Sequence, residues 1–185
     1  MADTQIMLTG NINQQSIARL MAEVTQRVGA GSRSVLLAMS TPGGEVYWGV
    51  TAYNFLRGLG IEVITHNFGQ VDSSIGGAIY VSGDRRFSVT QGRFLIHSIS
   101  WNYQGMGTIA VPEKQLRDNL TQVERERDNL AAILSARTDK EIDAVRADMT
   151  QTRILDAQEA TEYGFVHEIK DEIFDPSQEI VNIGG

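Results

Sequence analysis

A chain of 185 residues with 42% apolar and 21% charged residues has the composition of one ordinary globular domain with a sizeable core. Its net charge of −7 excludes a general nucleic-acid or anionic-membrane surface, and no run of about 18 apolar residues is present to span a bilayer. The absence of cysteine excludes disulfides, thiol catalysis and cysteine-bound zinc, and the opening MADTQIM lacks the features of a secretory signal, so the expected compartment is the cytoplasm. In chain order, QIMLTG (5–10) reads as a short strand closed by glycine. Residues 13–31 set Ile17, Leu20, Met21, Val24 and Val28 at helical spacing, with glycines at the stop. SVLLAM (34–39) is a continuous apolar run, the mark of a strand buried on both faces. STPGG breaks it, and residues 45–60 return to the 3.6 period. EVITHNF (62–68) is the next strand, and GQVDSSIGGAIYVSG turns from it into an apolar helix start. RRFSV and RFLIHSI (93–99) read as two further strands. A glycine-spaced stretch, NYQGMGTIAV, leads into a long helix over 112–137, and a short helix follows near 139–148. Residues 156–164 carry a capping box, Asp156 to Glu159, with Gly164 as the stop, and FVHEI makes a last strand before a polar tail over 171–185. The alternation predicts one α/β domain over 1–185 with a mostly parallel sheet.

Three segments combine residues that carry chemistry. In STPGGEVYWG, a Cβ-free backbone between strand and helix exposes N–H groups at a helix start, which suits an anion or a developing oxyanion; alone it also reads as a tight turn. In the serine turn, Ser74 stands at the start of a helix with Gly76 and Gly77 behind it, either a plain N-cap or a hydroxyl whose chemistry the helix dipole assists. A serine nucleophile needs a base. Of three histidines, His66 lies inside a strand and His167 beside Glu168 near the C-terminus, whereas His97 emerges at the end of a buried strand, where it can face a cleft.

Read together, LTGNI, STPGGEVYWGV, GQVDSSIGGAIYVSG, RFLIHS, YQGMGT and ILDAQEATEYGFV follow one another much as in the proteolytic subunit of the Clp protease family, and the resemblance covers residues 5–170. It implies a Clp/crotonase-type α/β fold of repeated β-β-α units with a mostly parallel sheet and a projecting strand–helix handle, here about 101–137. It implies a serine endopeptidase with no cofactor and no metal. Carried over by motif, Ser74 is the nucleophile, His97 the general base and later acid, and the backbone N–H groups of Gly44 and Ile75 the oxyanion hole. Ser73 is the alternative nucleophile, because the chain holds one residue more than usual after Gly69. At the third triad position the family has aspartate and this chain has Thr152, whose hydroxyl can hold the histidine tautomer but brings no full charge. Asp148, Asp156 and Asp72 are the alternative third members. That departure keeps a second expectation open, a catalytically silent ring subunit; a crotonase-like acyl-CoA site is a third, which the serine–histidine pairing disfavours. The expected partners are peptides or unfolded chains and further copies of the chain in a ring or stacked rings. Leu116, Leu120, Val123, Leu130 and Leu134 would serve ring contact, or equally an amphipathic helix packed on its own core. An AAA+ unfoldase stays open as a partner, since the sequence has almost nothing before its first strand where the family carries a docking loop.

Overall fold

A computed structural model describes residues 2–72, 75–100 and 111–184. Serines 73 and 74 and the glycine-spaced stretch 101–110 of the expected handle lie outside the described residues.

Largely buried strands build the centre of the sheet. β1 (Thr4–Thr9), β2 (Ser34–Thr41) and β3 (Glu62–Asp72) lie parallel and adjacent, and the helices between them cover the sheet. α1 (Gln14–Gly29) buries Ile17, Leu20 and Val24, three of the five residues its period picked out. Asn13 and Ser16 form a capping box at its start, which satisfies two backbone donors that a helix end leaves open. α2 (Val46–Arg57) follows the glycine turn, and α3 (Gly76–Val81) is buried along its whole length.

β3 is long because it serves two sets of neighbours. Its first half pairs with β4 (Arg85–Ser88), its last three residues with β5 (Arg93–Ile96), both parallel. Between the halves the register with β2 shifts near Met39 and Thr41, where a Cβ on Gly69 would lie 2.6 Å from Ser40 Oγ. The sheet therefore forks. One branch runs through β4 to β7 (Glu168–Ile169), the other through β5 to β6 (Arg153–Asp156), which is antiparallel. The main order is β6-β5-β3-β2-β1-β8. Here β8 (Ile180–Gly184) lies parallel to β1, so the end of the expected polar tail returns as an edge strand.

α4 (Glu113–Thr138) buries Leu130, Ala131 and Leu134 in its last third, while Leu116 and Leu120 are about half exposed, at 48% and 58%. The apolar seam read from the sequence is thus packed at one end and open at the other. α5 (Ile142–Gln151) and α6 (Ala157–Tyr163) complete the chain. α6 has the expected Asp156–Glu159 capping box and ends at Gly164 with φ 93.

Two devices tie the fork to the helices. Tyr80, Phe94, Phe165 and Tyr163 follow one another with ring centroids 4.9, 5.4 and 5.3 Å apart, the first pair edge to face and the other two stacked, and the buried Tyr80 hydroxyl donates to Phe87 O at 2.8 Å. Arg86 is buried, and its guanidinium donates to Phe165 O (2.7 Å), Gly164 O (2.9 Å) and Arg137 O (2.9 Å). It thereby occupies carbonyls at the ends of both α4 and α6. Burial, and then the neighbouring Arg137, lower its pKa to about 10. Among the described residues no helix is long and apolar enough to cross a membrane.

Candidate active site

The carboxyl ends of β2, β3 and β5 finish side by side, as the registers Thr41 with Val71 and Asp72 with Leu95 require. In an open α/β sheet this is where a site is built, because the strand-to-helix turns leave their N–H groups and side chains on that rim.

The first turn is held from both sides. Thr41 Oγ1 donates to Gly10 O at 2.7 Å and accepts the Gly43 N–H at 3.0 Å. Ile12 then bridges the glycines, its N–H donating to Gly43 O (2.9 Å) and its carbonyl accepting the Glu45 N–H (2.8 Å). In a parallel bridge of this kind the middle residue, Gly44, turns its own N–H away from Ile12. Gly44 is exposed, has φ 153, and a Cβ there would lie 2.1 Å from Ile12 O, so only glycine fits. The α3 turn packs directly against this one. A Cβ on Gly76 would lie 2.7 Å from Thr41 Cγ2, and a Cβ on Gly49 in α2 would lie 2.0 Å from Ile75 Cγ1. The turn bearing Gly44 and the helix start bearing Ile75 are therefore in contact, with glycine as the reason.

His97 follows the last residue of β5 and is half-buried. Its Nδ1 lies 2.6 Å from the carbonyl oxygen of Ser98, and its Nε2 lies 2.8 Å from Asp72 Oδ1. Among the ion pairs of the described residues this is the most buried, with side-chain exposures of 28% for His97 and 11% for Asp72.

The remaining expected residues fall as follows. β6 runs antiparallel to β5, and that pairing ends at Ile96 opposite Arg153, the residues that precede His97 and follow Thr152 in the chain. Its side chain is exposed, and its backbone has φ 57 and ψ 106, a costly conformation of about 1–3 kcal/mol for a β-branched residue. Asp148 is engaged elsewhere: Oδ1 accepts from Arg153 Nη1 at 3.0 Å and Oδ2 from the Tyr163 hydroxyl at 2.9 Å. Burial, reinforced by that carboxylate, raises the Tyr163 pKa. Asp156 caps α6, accepting the Glu159 N–H at 2.9 Å. Of the four side chains considered for the third position, the one in contact with His97 is Asp72. The Ser98 carbonyl on Nδ1 was not legible in the sequence, since a backbone acceptor leaves no residue-type signal.

Comparison with known proteins gives a consistent result. The model of a protein family described as Clp protease matches residues 1–172. The ATP-dependent Clp protease proteolytic subunit 3 of Rhizobium johnstonii is 28% identical over 166 residues, spanning 89% of this chain and 82% of that protein. Its counterpart from Rhodococcus jostii is 27% identical over 167 residues (89% and 79%), and the proteolytic subunit of Chlorella vulgaris is 29% identical over 140 residues (75% and 66%). Among solved structures, a ClpP1 mutant from Listeria monocytogenes has the same fold, with a TM-score of 0.79 over 91% of each chain at 20% identity.

Proposed function

Because the chain belongs to the Clp protease family, we propose that it is a serine endopeptidase that cleaves peptides or unfolded polypeptides inside a homo-oligomeric ring. The observation that carries this reading is the shared rim: the Gly44 turn, the start of α3 at Ile75 and His97 all lie at the carboxyl ends of adjacent strands. In the proposed reaction Ser74 Oγ attacks the scissile carbonyl carbon while its proton passes to His97. The carbonyl oxygen becomes an oxyanion that accepts from the Gly44 and Ile75 N–H groups, an interaction whose loss costs about 10²–10³ in rate in comparable sites. His97 then gives its proton to the leaving amine, an acyl-serine remains, and water reverses the sequence with His97 again as base. Ser73 is the competing nucleophile. Thr152 stands where the third triad member is expected, and its uncharged, exposed side chain is the observation that favours a second reading, a ring subunit without activity.

Ring assembly is supported by α4. About 39 Å long at 1.5 Å per residue, it leaves Leu116 and Leu120 uncovered. The reading is tested by fractionating the protein by size and assaying hydrolysis of a fluorogenic peptide. Activity should travel with a particle several times 20.4 kDa, vanish in Ser74→Ala and survive in Ser73→Ala. A monodisperse monomer would count against the ring, and assembled rings without hydrolysis would favour the silent subunit.

A further inference from the structure

Both ring nitrogens of His97 face atoms that only accept. Ser98 O is a backbone carbonyl at 2.6 Å from Nδ1, and Asp72 Oδ1 is a carboxylate oxygen at 2.8 Å from Nε2. A neutral imidazole has one N–H, so it satisfies one of these contacts and turns a lone pair towards the other; an imidazolium satisfies both. We propose that Asp72 is the positioning residue of His97 and its resting latch, occupying Nε2 with a hydrogen bond so that the pair must open before Nε2 can take a serine proton. The consequence for catalysis rests on the serine-peptidase reading, whereas the geometry does not.

The placement follows from the strands. Asp72 is the last residue of β3 and stands opposite Leu95 of β5, two residues before His97. The short parallel pairing of those strands thus holds carboxylate and imidazole together from two rigid elements. At 11% exposure the Asp72 side chain is little screened by water, so its charge acts on the ring more strongly than a surface carboxylate would. The nearest charge on β6, Arg153, is in register with Ile96 rather than His97 and donates to Asp148. Opening the latch separates Nε2 from the Asp72 carboxylate, and the Nε2 proton passes to solvent. The base form of the ring donates from Nδ1 to Ser98 O, with the lone pair on Nε2 available. Ser98 thus fixes which nitrogen becomes the base, and Asp72 sets when.

The test uses the full-length protein with ¹⁵N-labelled histidine. Long-range ¹H–¹⁵N spectra report the protonation of each ring nitrogen, and His97→Gln assigns the signal. The wild-type spectrum should show a proton on Nε2, shared with the Asp72 carboxylate. In Asp72→Asn, whose amide can donate to Nε2, that proton should be lost. Labelling by a fluorophosphonate should then be about tenfold faster in Asp72→Asn, since a charge-assisted hydrogen bond no longer has to be broken. A wild-type His97 with no proton on Nε2 overturns the proposal, and the wild-type spectrum decides this even if the variant does not fold. Equal or slower labelling in a folded Asp72→Asn overturns the latch. An Nε2 proton in a protein that never labels upholds the pair and overturns the peptidase reading instead.

Discussion

Gly49→Ala adds one methyl group between α2 and the start of α3. That carbon would lie 2.0 Å from Ile75 Cγ1 and 2.6 Å from its Cδ1, whereas carbon atoms rest about 3.5–4.0 Å apart. Ile75 is completely buried, so it has no free space into which to move the required ~1.5 Å. Overpacking of this kind costs about 1–3 kcal/mol, and the better helix propensity of alanine returns up to about 1 kcal/mol. The expected net loss is about 1–2 kcal/mol, a fall in Tm of about 3–6 °C for a chain of this size. Activity should suffer more than stability. The displaced residue carries a proposed oxyanion donor, and a misplacement near 1 Å costs about 10²-fold in rate. Gly29→Ala in α1, where an added Cβ meets nothing within 4 Å, is the control and should leave activity unchanged and Tm unchanged or slightly raised. Thermal melts and peptide hydrolysis measured on both variants decide the matter. A Gly49→Ala protein with native Tm and native turnover would refute the reasoning about how α2 sets the α3 turn.

Arg86→Met should lower stability by about 3–5 kcal/mol in urea unfolding, since Phe165 O, Gly164 O and Arg137 O lose their shared donor in a buried setting; a loss below 1 kcal/mol would mean that water replaces it. His66 is buried with Nε2 on Lys170 O, and desolvation by burial outweighs that hydrogen bond and lowers its pKa below the ordinary 6.5. The unfolded chain therefore binds a proton that the native chain resists, so this stability is complete above about pH 6.5 and is lost as pH falls below it. Melts from pH 7.5 to 5 should show that decline, and His66→Gln should flatten it. Thr152→Asp supplies the carboxylate that the family carries at the third triad position and should raise turnover; an unchanged rate in an assembled variant would mean that the Ser98 carbonyl on Nδ1 already orients the ring.

Much of the architecture was legible because burial writes itself into composition. SVLLAM is apolar on both faces because both faces are covered, and the Asp156–Glu159 box with Gly164 marked α6 to the residue. β6 escaped because RILD is short, at an edge, with Ile154 63% exposed, so neither alternation nor an apolar run announces it. β8 escaped for the related reason that Ile183 is its one fully buried residue and its pairing with β1 joins the two ends of the chain. In the candidate site, His97 and the glycine turns could be found from local pattern. The preference of His97 for Asp72 over Thr152 could not, because it depends on a three-residue pairing between β3 and β5 that no periodicity encodes. The split in α4 between a packed and an open end was equally hidden, since its leucine spacing is the same in both halves.

The central claim is that a serine between β3 and α3 in the sequence is a nucleophile served by His97. It is tested most directly by reacting the assembled protein with a fluorophosphonate and mapping the modified residue by peptide mass spectrometry. The account predicts a single adduct on Ser74 that is lost in His97→Ala. An adduct on Ser73 would contradict the assignment of the nucleophile, and assembled rings that take up no label at any pH would contradict the claim itself.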